Sequence, residues 1–77
     1  MEHFYRRLRD LRTDHDMAQW EVAQYLGTTR QQYGRYENGE RDLPANVVIR
    51  LACLYQTSAD YILGMTDNPK PYNDIPR

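Results

Sequence analysis

The residues with the most evident chemistry in this 77-residue sequence are arginines and glutamines between positions 30 and 35. If this stretch is helical, the helix period of 3.6 residues places on one outer face Arg30, Gln31, Gly34 and Arg35, with Gln32 at the flank. Arginine can bind O6 and N7 of guanine in a fork, and glutamine can bind N6 and N7 of adenine. A helix that begins Arg-Gln-Gln in a small protein therefore has the chemistry to read base edges.

A short helix and a turn precede this face. The segment 19–26 carries apolar residues at Val22, Ala23 and Leu26, a spacing that gives a helix one buried side. Gly27 then supplies a residue that enters a left-handed turn without a Cβ penalty. These features predict a helix that ends at a tight turn.

The second helix of the pair is predicted from about residue 30 to residue 38. Thr29 can cap it by accepting a backbone N–H bond, and Gly39 ends it. Tyr33 and Tyr36 share the side opposite the arginines, which indicates that they belong to the core. The pattern of both helices is typical of a helix-turn-helix.

Three further helices are predicted from their apolar stripes and end signals, at about residues 3–13, from near Pro44 onward, and from the cap Ser58 to Gly64. Their inward-facing residues are predicted to be Phe4, Leu8 and Leu11 in the first and Val48, Leu51, Ala52 and Tyr55 in the fourth, with Tyr61, Ile62 and Leu63 following the last cap. The chain is therefore expected to be all-α.

Composition limits the remaining possibilities. A chain of 77 residues with one cysteine permits a single domain without an intramolecular disulfide. No apolar run approaches the roughly 18 residues of a transmembrane helix, and the N-terminus lacks the apolar stretch of a signal peptide. The sequence therefore predicts a soluble cytoplasmic protein that does not enter a membrane. The net charge of −1 indicates DNA affinity through few, well-placed contacts.

At the level of whole motifs the sequence resembles the XRE-like family, which includes the phage repressor and Cro proteins. The matching residues are Leu8 to Arg12, Gln19, Glu21, Ala23, Leu26-Gly27, Thr29-Arg30, Tyr36 to Gly39, Arg41, Leu51-Ala52 and Ser58 to Gly64. The resemblance implies a compact five-helix, repressor-like domain over residues 1–64, with the helix-turn-helix at helices 2 and 3. Residues 65–77 remain as a proline-rich C-terminal tail.

The resemblance also implies roles for individual residues on double-stranded DNA. Base-reading positions are Arg30, Gln31, Gln32, Gly34 and Arg35, and phosphate-contacting positions are Gln19, Thr29, Asn38 and Arg41. A basic residue in the first helix pairs with a glutamate near the end of the recognition helix in this family. Here that implied structural pair is Arg12 with Glu37.

Gly34 is unusual because glycine inside an exposed helix costs up to about 1 kcal/mol relative to alanine. Close approach of the helix backbone to DNA would compensate that cost, and neutral drift on a tolerant surface is the alternative. The helix before the turn also departs from the family, because Ala18 at its cap has no side-chain oxygen. Asp16 is a possible substitute.

A homodimer is implied by the two-fold contact that repressor-like relatives make near the last helix. The residues expected at this contact are Tyr55, Tyr61, Ile62 and Met65, since the last helix carries much apolar surface for its length. The tail after it is either disordered or an arm that docks through Tyr72 and Ile75. Arg6, Arg7 and Arg9 are interpreted as a solvated face, with phosphate contact as their alternative role.

These observations predict a sequence-specific, dimeric repressor that reads a roughly palindromic operator through helix 3 in the major groove. The alternative is a protein-interaction module of the antitoxin or antirepressor type, in which exposed aromatic residues such as Trp20 bind a partner. An enzyme is not expected, because the sequence lacks a Cys/His nucleophile set and a glycine-rich phosphate loop. His15 has no partners at metal-ligand spacing, so neither metal, cofactor nor small-molecule ligand is predicted.

Overall fold

The computed structural model describes residues 6–71 and contains five α-helices in that range. They are α1 (Arg6–Asp14), α2 (Gln19–Leu26), α3 (Arg30–Glu37), α4 (Ala45–Tyr55) and α5 (Ala59–Ile62). No strand occurs within the described range. The all-α, five-helix prediction is therefore confirmed, with the helix-turn-helix at α2 and α3. None of the helices within residues 6–71 has the length and apolar character needed to cross a membrane.

The turn between α2 and α3 has the local chemistry that the sequence predicts. Gly27 adopts a φ of 77°, which an L-residue with a side chain would adopt only with strain. Its backbone N–H donates to the carbonyls at the end of α2. Two residues later, the Thr29 hydroxyl accepts a hydrogen bond of 3.1 Å from the backbone N–H of Gln32. The chain therefore ends one helix and begins the next within three residues.

The start of α2 has one half of a capping box. The Glu21 carboxylate accepts a 2.7 Å hydrogen bond from the backbone N–H of Ala18, while Ala18 itself offers no side-chain oxygen in return. Asp16 does not replace the missing oxygen, because it lies in the turn after α1 with a φ of 56°. The entry to α2 thus depends on Glu21.

A single core lies between the helices. Its buried members are Leu8, Leu11, Val22, Ala23, Tyr33, Leu51, Tyr55 and Ile62. Full burial of one such aliphatic or aromatic side chain stabilises a fold by about 1.5–3 kcal/mol. Tyr33 is the largest side chain that is fully buried. Because Tyr33 comes from the middle of α3, the core fixes the orientation of that helix.

The structure corrects part of the expected dimer contact. Tyr55 and Ile62 are 4% and 2% exposed, so both belong to the core of their own protomer. The reason is that α5 contains only four residues and packs against α1 and α4, which turns Ile62 inward. Tyr61 is half-buried, whereas Met65 is 76% exposed.

Arg7 also differs from its interpretation as part of a solvated face. Its guanidinium lies over the Tyr61 ring at 4.2 Å and donates a 2.9 Å hydrogen bond to the Tyr61 carbonyl. It also donates to the Thr66 carbonyl and pairs with Asp67 at 2.5 Å. Arg7 therefore ties the segment after α5 to α1.

That segment is the beginning of the tail for which disorder was one prediction. The Thr57 hydroxyl donates a 2.7 Å hydrogen bond to the Pro69 carbonyl, so residues 66–69 contact the domain at two points. Tyr72 and Ile75, the residues of the alternative docking arm, lie outside the described residues, as does Phe4 of the first predicted stripe.

A contact that the sequence analysis did not anticipate joins α2 to α4. Arg50 donates hydrogen bonds of 2.5 Å and 3.1 Å to the carbonyls of Tyr25 and Leu26. The Tyr25 hydroxyl returns a 2.9 Å bond to the Arg50 carbonyl. Arg50 thereby satisfies the last carbonyls of α2, which a helix leaves without intrahelical partners.

Candidate nucleic-acid interface

Helix α3 has one anchored side and one open side. Tyr33 is fully buried and Glu37 is 3% exposed, so both fix the inner side. The outer side, which we call the reading surface, consists of Arg30, Gln31, Gln32, Gly34 and Arg35. Arg30, Gln31 and Arg35 are exposed, and the other two are half-buried. The predicted base-reading residues therefore lie together on a solvent-facing surface of a fixed helix.

The anchor of α3 is a buried ion pair with α1. The Arg12 guanidinium holds the Glu37 carboxylate in a fork, with Nε 2.7 Å from Oε2 and Nη2 3.2 Å from Oε1. Arg12 also donates to the Met17 carbonyl at 3.0 Å. The residue pair implied by the family resemblance is thus in contact, and it joins α1, the α1–α2 connection and α3.

The same contacts decide the ionisation of Glu37. Burial alone raises the pKa of a carboxyl group, but hydrogen bonds, chiefly from Arg12, outweigh burial here and hold the pKa of Glu37 below its ordinary value. The fork with Glu37 correspondingly raises the pKa of Arg12. Both groups are therefore charged at neutral pH, and neither charge is left without its partner.

Gln19 connects this buried pair to the reading surface. Its amide nitrogen donates a 3.1 Å hydrogen bond to Glu37 Oε1, and its amide oxygen accepts from Arg30 at 3.4 Å. Gln19 is the first residue of α2, where the resemblance implies a phosphate contact. Its side chain is thus oriented by the protein before any DNA is present.

Gly34 lies beside the same amide. An ideal Cβ built on Gly34 would meet only Gln19 Oε1 at 3.8 Å and Nε2 at 4.0 Å, which are ordinary van der Waals distances. The fold itself therefore has room for alanine at this position. Whatever accounts for glycine here lies outside the packing of the described chain.

The predicted phosphate-contacting residues lie around the two ends of α3. The Thr29 hydroxyl accepts from Gln32 and keeps its own proton for donation. The backbone N–H of Asn38 is already bonded to the Gly34 carbonyl at 3.0 Å, so only its side chain can contact a phosphate. Arg41 returns toward the start of α3 and donates a 2.9 Å hydrogen bond to Gln32 Oε1.

A cleft of about 330 Å³ continues this surface between α1 and the end of α3. Its lining residues are Arg6, Arg9, Asp10, Glu37 and Asn38. The Arg9 side chain is 62% exposed, with Nε 3.8 Å from Glu37 Oε1. The cleft therefore presents cationic side chains next to a predicted phosphate contact.

The side chains of this surface offer charges and hydrogen-bonding groups. No cluster of His, Cys, Asp or Glu within residues 6–71 could hold a metal ion. Burial raises the pKa of Tyr55 to about 12 and raises the pKa of Tyr33 further. These phenols therefore keep their protons at neutral pH and serve as core residues.

Comparison with known proteins agrees with this geometry. A family model described as "Helix-turn-helix" matches residues 8–62. The chain is 40% identical over 68 residues to the "Uncharacterized HTH-type transcriptional regulator YobD" of Bacillus subtilis (strain 168), covering 88% of this chain and 61% of the relative. It is 35% identical over 63 residues to the "SPbeta prophage-derived uncharacterized HTH-type transcriptional regulator YonR" of the same organism, covering 82% and 58%.

The chain spans about three fifths of the length of these relatives. The matched region contains all five helices except the first two residues of α1. It also contains the Arg12–Glu37 pair, Gln19 and the whole reading surface. The fold, the anchored and exposed α3 and these matches agree: the chain belongs to the helix-turn-helix family of DNA-binding transcriptional regulators, in the XRE-type group.

Proposed function

We propose that this protein is a sequence-specific transcriptional regulator that binds double-stranded DNA as a homodimer and acts as a repressor. In this proposal α3 of each protomer enters the major groove of a roughly palindromic operator, and the bound protein blocks access to a promoter. The observation that carries the proposal is that α3 is locked to the core by Tyr33 and Glu37 while Arg30, Gln31 and Arg35 remain exposed.

Anchoring matters because base readout needs side chains that are held near their final positions. The Arg12–Glu37 fork fixes the end of α3, and the Thr29 hydroxyl fixes its start. Arg35 and Gln31 then extend from a rigid helix, where each correct base pair contact discriminates by roughly 1–3 kcal/mol. This arrangement favours readout over a diffuse electrostatic association.

Phosphate contacts in this proposal come from the rim of the reading surface. Gln19, Thr29 and Arg41 are already positioned around α3, and the cleft with Arg9 extends the cationic surface toward α1. The chain has 10 basic and 11 acidic residues, so binding to the DNA backbone depends on a few well-placed cations and not on bulk charge. We therefore expect contacts to several phosphates. The logarithm of the binding constant should fall with the logarithm of the salt concentration, with a slope near −0.9 for each phosphate contacted.

The homodimer follows from operator symmetry, since two recognition helices about 34 Å apart read successive major grooves. Because Tyr55 and Ile62 are buried within the protomer, the proposed contact shifts to the exposed apolar side chains after α5. Leu63 and Met65 are 43% and 76% exposed. Sedimentation of Met65→Lys should show a weaker dimer, with Ile49→Lys as the control on α4.

The direct experiment is a footprint on the DNA that flanks this protein's own gene, repeated at two salt concentrations. A protected, roughly palindromic site that weakens steeply with salt would support a self-regulating repressor. Because such a regulator works on chromosomal DNA, a cytoplasmic location is part of the proposal. Absence of protection at low salt would contradict it for that locus, and selection from random duplexes would then be the decisive form of the experiment.

One observation favours a second candidate function, a protein-interaction module of the antitoxin or antirepressor type. Trp20 is 57% exposed on α2, an unusual exposure for the largest apolar side chain. A protein partner bound there would respond weakly to salt, whereas DNA bound through phosphates would respond strongly. Trp20→Ala should abolish binding of the protein partner and leave most of the DNA binding.

A further inference from the structure

The geometry points to a division of roles within the reading surface: Gln32 positions Arg41 against the DNA backbone and does not itself read a base. This inference rests on the proposed function, because it assigns work within the same DNA interface. It differs from the role that the family resemblance implies for Gln32, and it makes Gln32 a positioning residue.

Gln32 and Arg41 are in direct contact. Gln32 lies in the first turn of α3, and Arg41 lies beyond the end of that helix. The Arg41 Nη1 nevertheless donates a 2.9 Å hydrogen bond to Gln32 Oε1. The backbone N–H of Gln32 is fixed at the same time by the Thr29 hydroxyl. Gln32 is therefore held at both its main chain and its side chain.

To read adenine, a glutamine needs its carbonyl oxygen for N6 and its amide hydrogen for N7. The Gln32 oxygen already accepts from Arg41, so only one of its two lone pairs remains, and holding Arg41 competes with a fork to adenine. Gln31 is exposed and makes no hydrogen bond within the described residues, so its amide keeps both groups. Gln31 thus has a free amide with which to bind a base, whereas the Gln32 amide is engaged by Arg41.

Arg41 keeps its positive charge in its contact with Gln32. Its nearest neighbours in the chain are the acids Glu40 and Asp42, both exposed. A carboxylate partner would neutralise the guanidinium, whereas the neutral Gln32 amide occupies one of its five N–H groups and leaves the charge intact. Gln32 therefore holds a cation near the start of α3, where it can bind a phosphate in a fork.

The inference predicts that removing the neutral Gln32 side chain changes the salt dependence of binding, since it releases a cation from the interface. The experiment uses the full chain and the consensus duplex that the wild-type chain selects from a random pool. Dissociation constants are measured over a range of salt for wild type, Gln32→Met, Arg41→Ala and the double variant. Gln31→Met is the matched control, and thermal melts verify that each variant is folded.

We expect Gln32→Met and Arg41→Ala each to weaken binding by about tenfold, the size of one hydrogen bond to a charged group. The double variant should be no weaker than Arg41→Ala alone, because the two side chains act as one unit. The log–log salt slope should become shallower by about 0.9 in each of them, with the selected consensus unchanged. Gln31→Met should instead lose preference at one base position and keep its slope.

The inference is overturned if Gln32→Met loses preference at one base position with an unchanged salt slope, since that is the behaviour of a base reader. It is also overturned if the two losses multiply in the double variant. Should Gln32→Met fail to fold, Gln32→Ala replaces it under the same criteria. A wild-type chain that selects no consensus at all would overturn the proposed function as well, so the two failures are distinguishable.

Discussion

The substitution Gly34→Ala is expected to change the stability of the fold and the affinity for DNA in opposite directions. Alanine is about 0.8–1.0 kcal/mol more favourable than glycine inside a helix. The added methyl would meet only the Gln19 amide, at 3.8 Å and 4.0 Å, so no steric cost cancels this gain. We therefore expect the free energy of unfolding of Gly34→Ala to rise by about 1 kcal/mol.

In a domain of this size, 1 kcal/mol corresponds to an increase of roughly 4–8 °C in the midpoint of thermal unfolding. On DNA the opposite is expected from close approach of the helix backbone to the groove, which is one of the two explanations that the sequence offers for Gly34. A methyl forced into a packed contact costs about 1–3 kcal/mol. Binding to the selected duplex should therefore weaken by about fivefold or more, while the protein becomes more stable.

The assay is a thermal melt of the free protein together with titration of the selected duplex. Gln24→Ala, at an exposed position of α2 outside the reading surface, is the control and should change neither quantity appreciably. Unchanged operator affinity of Gly34→Ala would refute close approach as the reason for this glycine. A lower melting temperature would refute the argument that the fold has room for alanine.

Three further outcomes are expected. Arg12→Ala should lower the free energy of unfolding by about 3 kcal/mol, because it removes the fork that holds the buried Glu37 carboxylate. Arg9→Ala, at a side chain that is 62% exposed and only 3.8 Å from the same carboxylate, should cost under about 1 kcal/mol in the same urea titrations. Because the folded-state pKa of Glu37 lies below its unfolded value, its stabilisation is complete above about pH 4.3 and is lost as pH falls through the folded pKa. Urea midpoints between pH 7 and pH 3 should therefore fall more steeply for wild type than for Glu37→Gln, and equal slopes would contradict the assignment. Arg50→Ala should cost about 1 kcal/mol through the carbonyls at the end of α2, and melting like wild type would exclude that role.

The parts of the fold that follow from local chemistry could be predicted from the sequence. The left-handed Gly27, the cap at Thr29 and the cap at Ser58 each depend on a few consecutive residues. The bounds of α2 are the same in prediction and structure, and α3 ends one residue earlier. Such features require only the backbone rules of turns and helix ends.

The features that the sequence analysis did not anticipate depend on residues far apart in the chain. Arg7 contacts Asp67, and Arg50 contacts the end of α2, yet an arginine on a helix face has the same local pattern whether it is solvated or bound. Ile62 was expected at a dimer contact because α5 alone has more apolar surface than it can bury. In the fold α5 packs against α1 and α4, an arrangement that no local pattern reveals.

The sequence could predict which residues of α3 share the outer face, because they follow the helix period. The internal organisation of the candidate site was not predictable, since the pairs Gln19–Arg30 and Gln32–Arg41 join residues from different segments. Resemblance to a family could place these residues near DNA. It could not show which amide oxygens are already occupied within the protein.

Whether α3 reads base edges can be measured through the loss of a single contact, that of Arg35. Wild type and Arg35→Ala are titrated against the selected duplex and against duplexes with single base-pair changes in one half-site. We expect the affinity of wild type to drop about fivefold or more for a change at any recognised position. Arg35→Ala should become indifferent to the base at one position and retain its preference at the others. If Arg35→Ala weakens all duplexes by the same factor, Arg35 contacts only the backbone and the claim for this helix is contradicted.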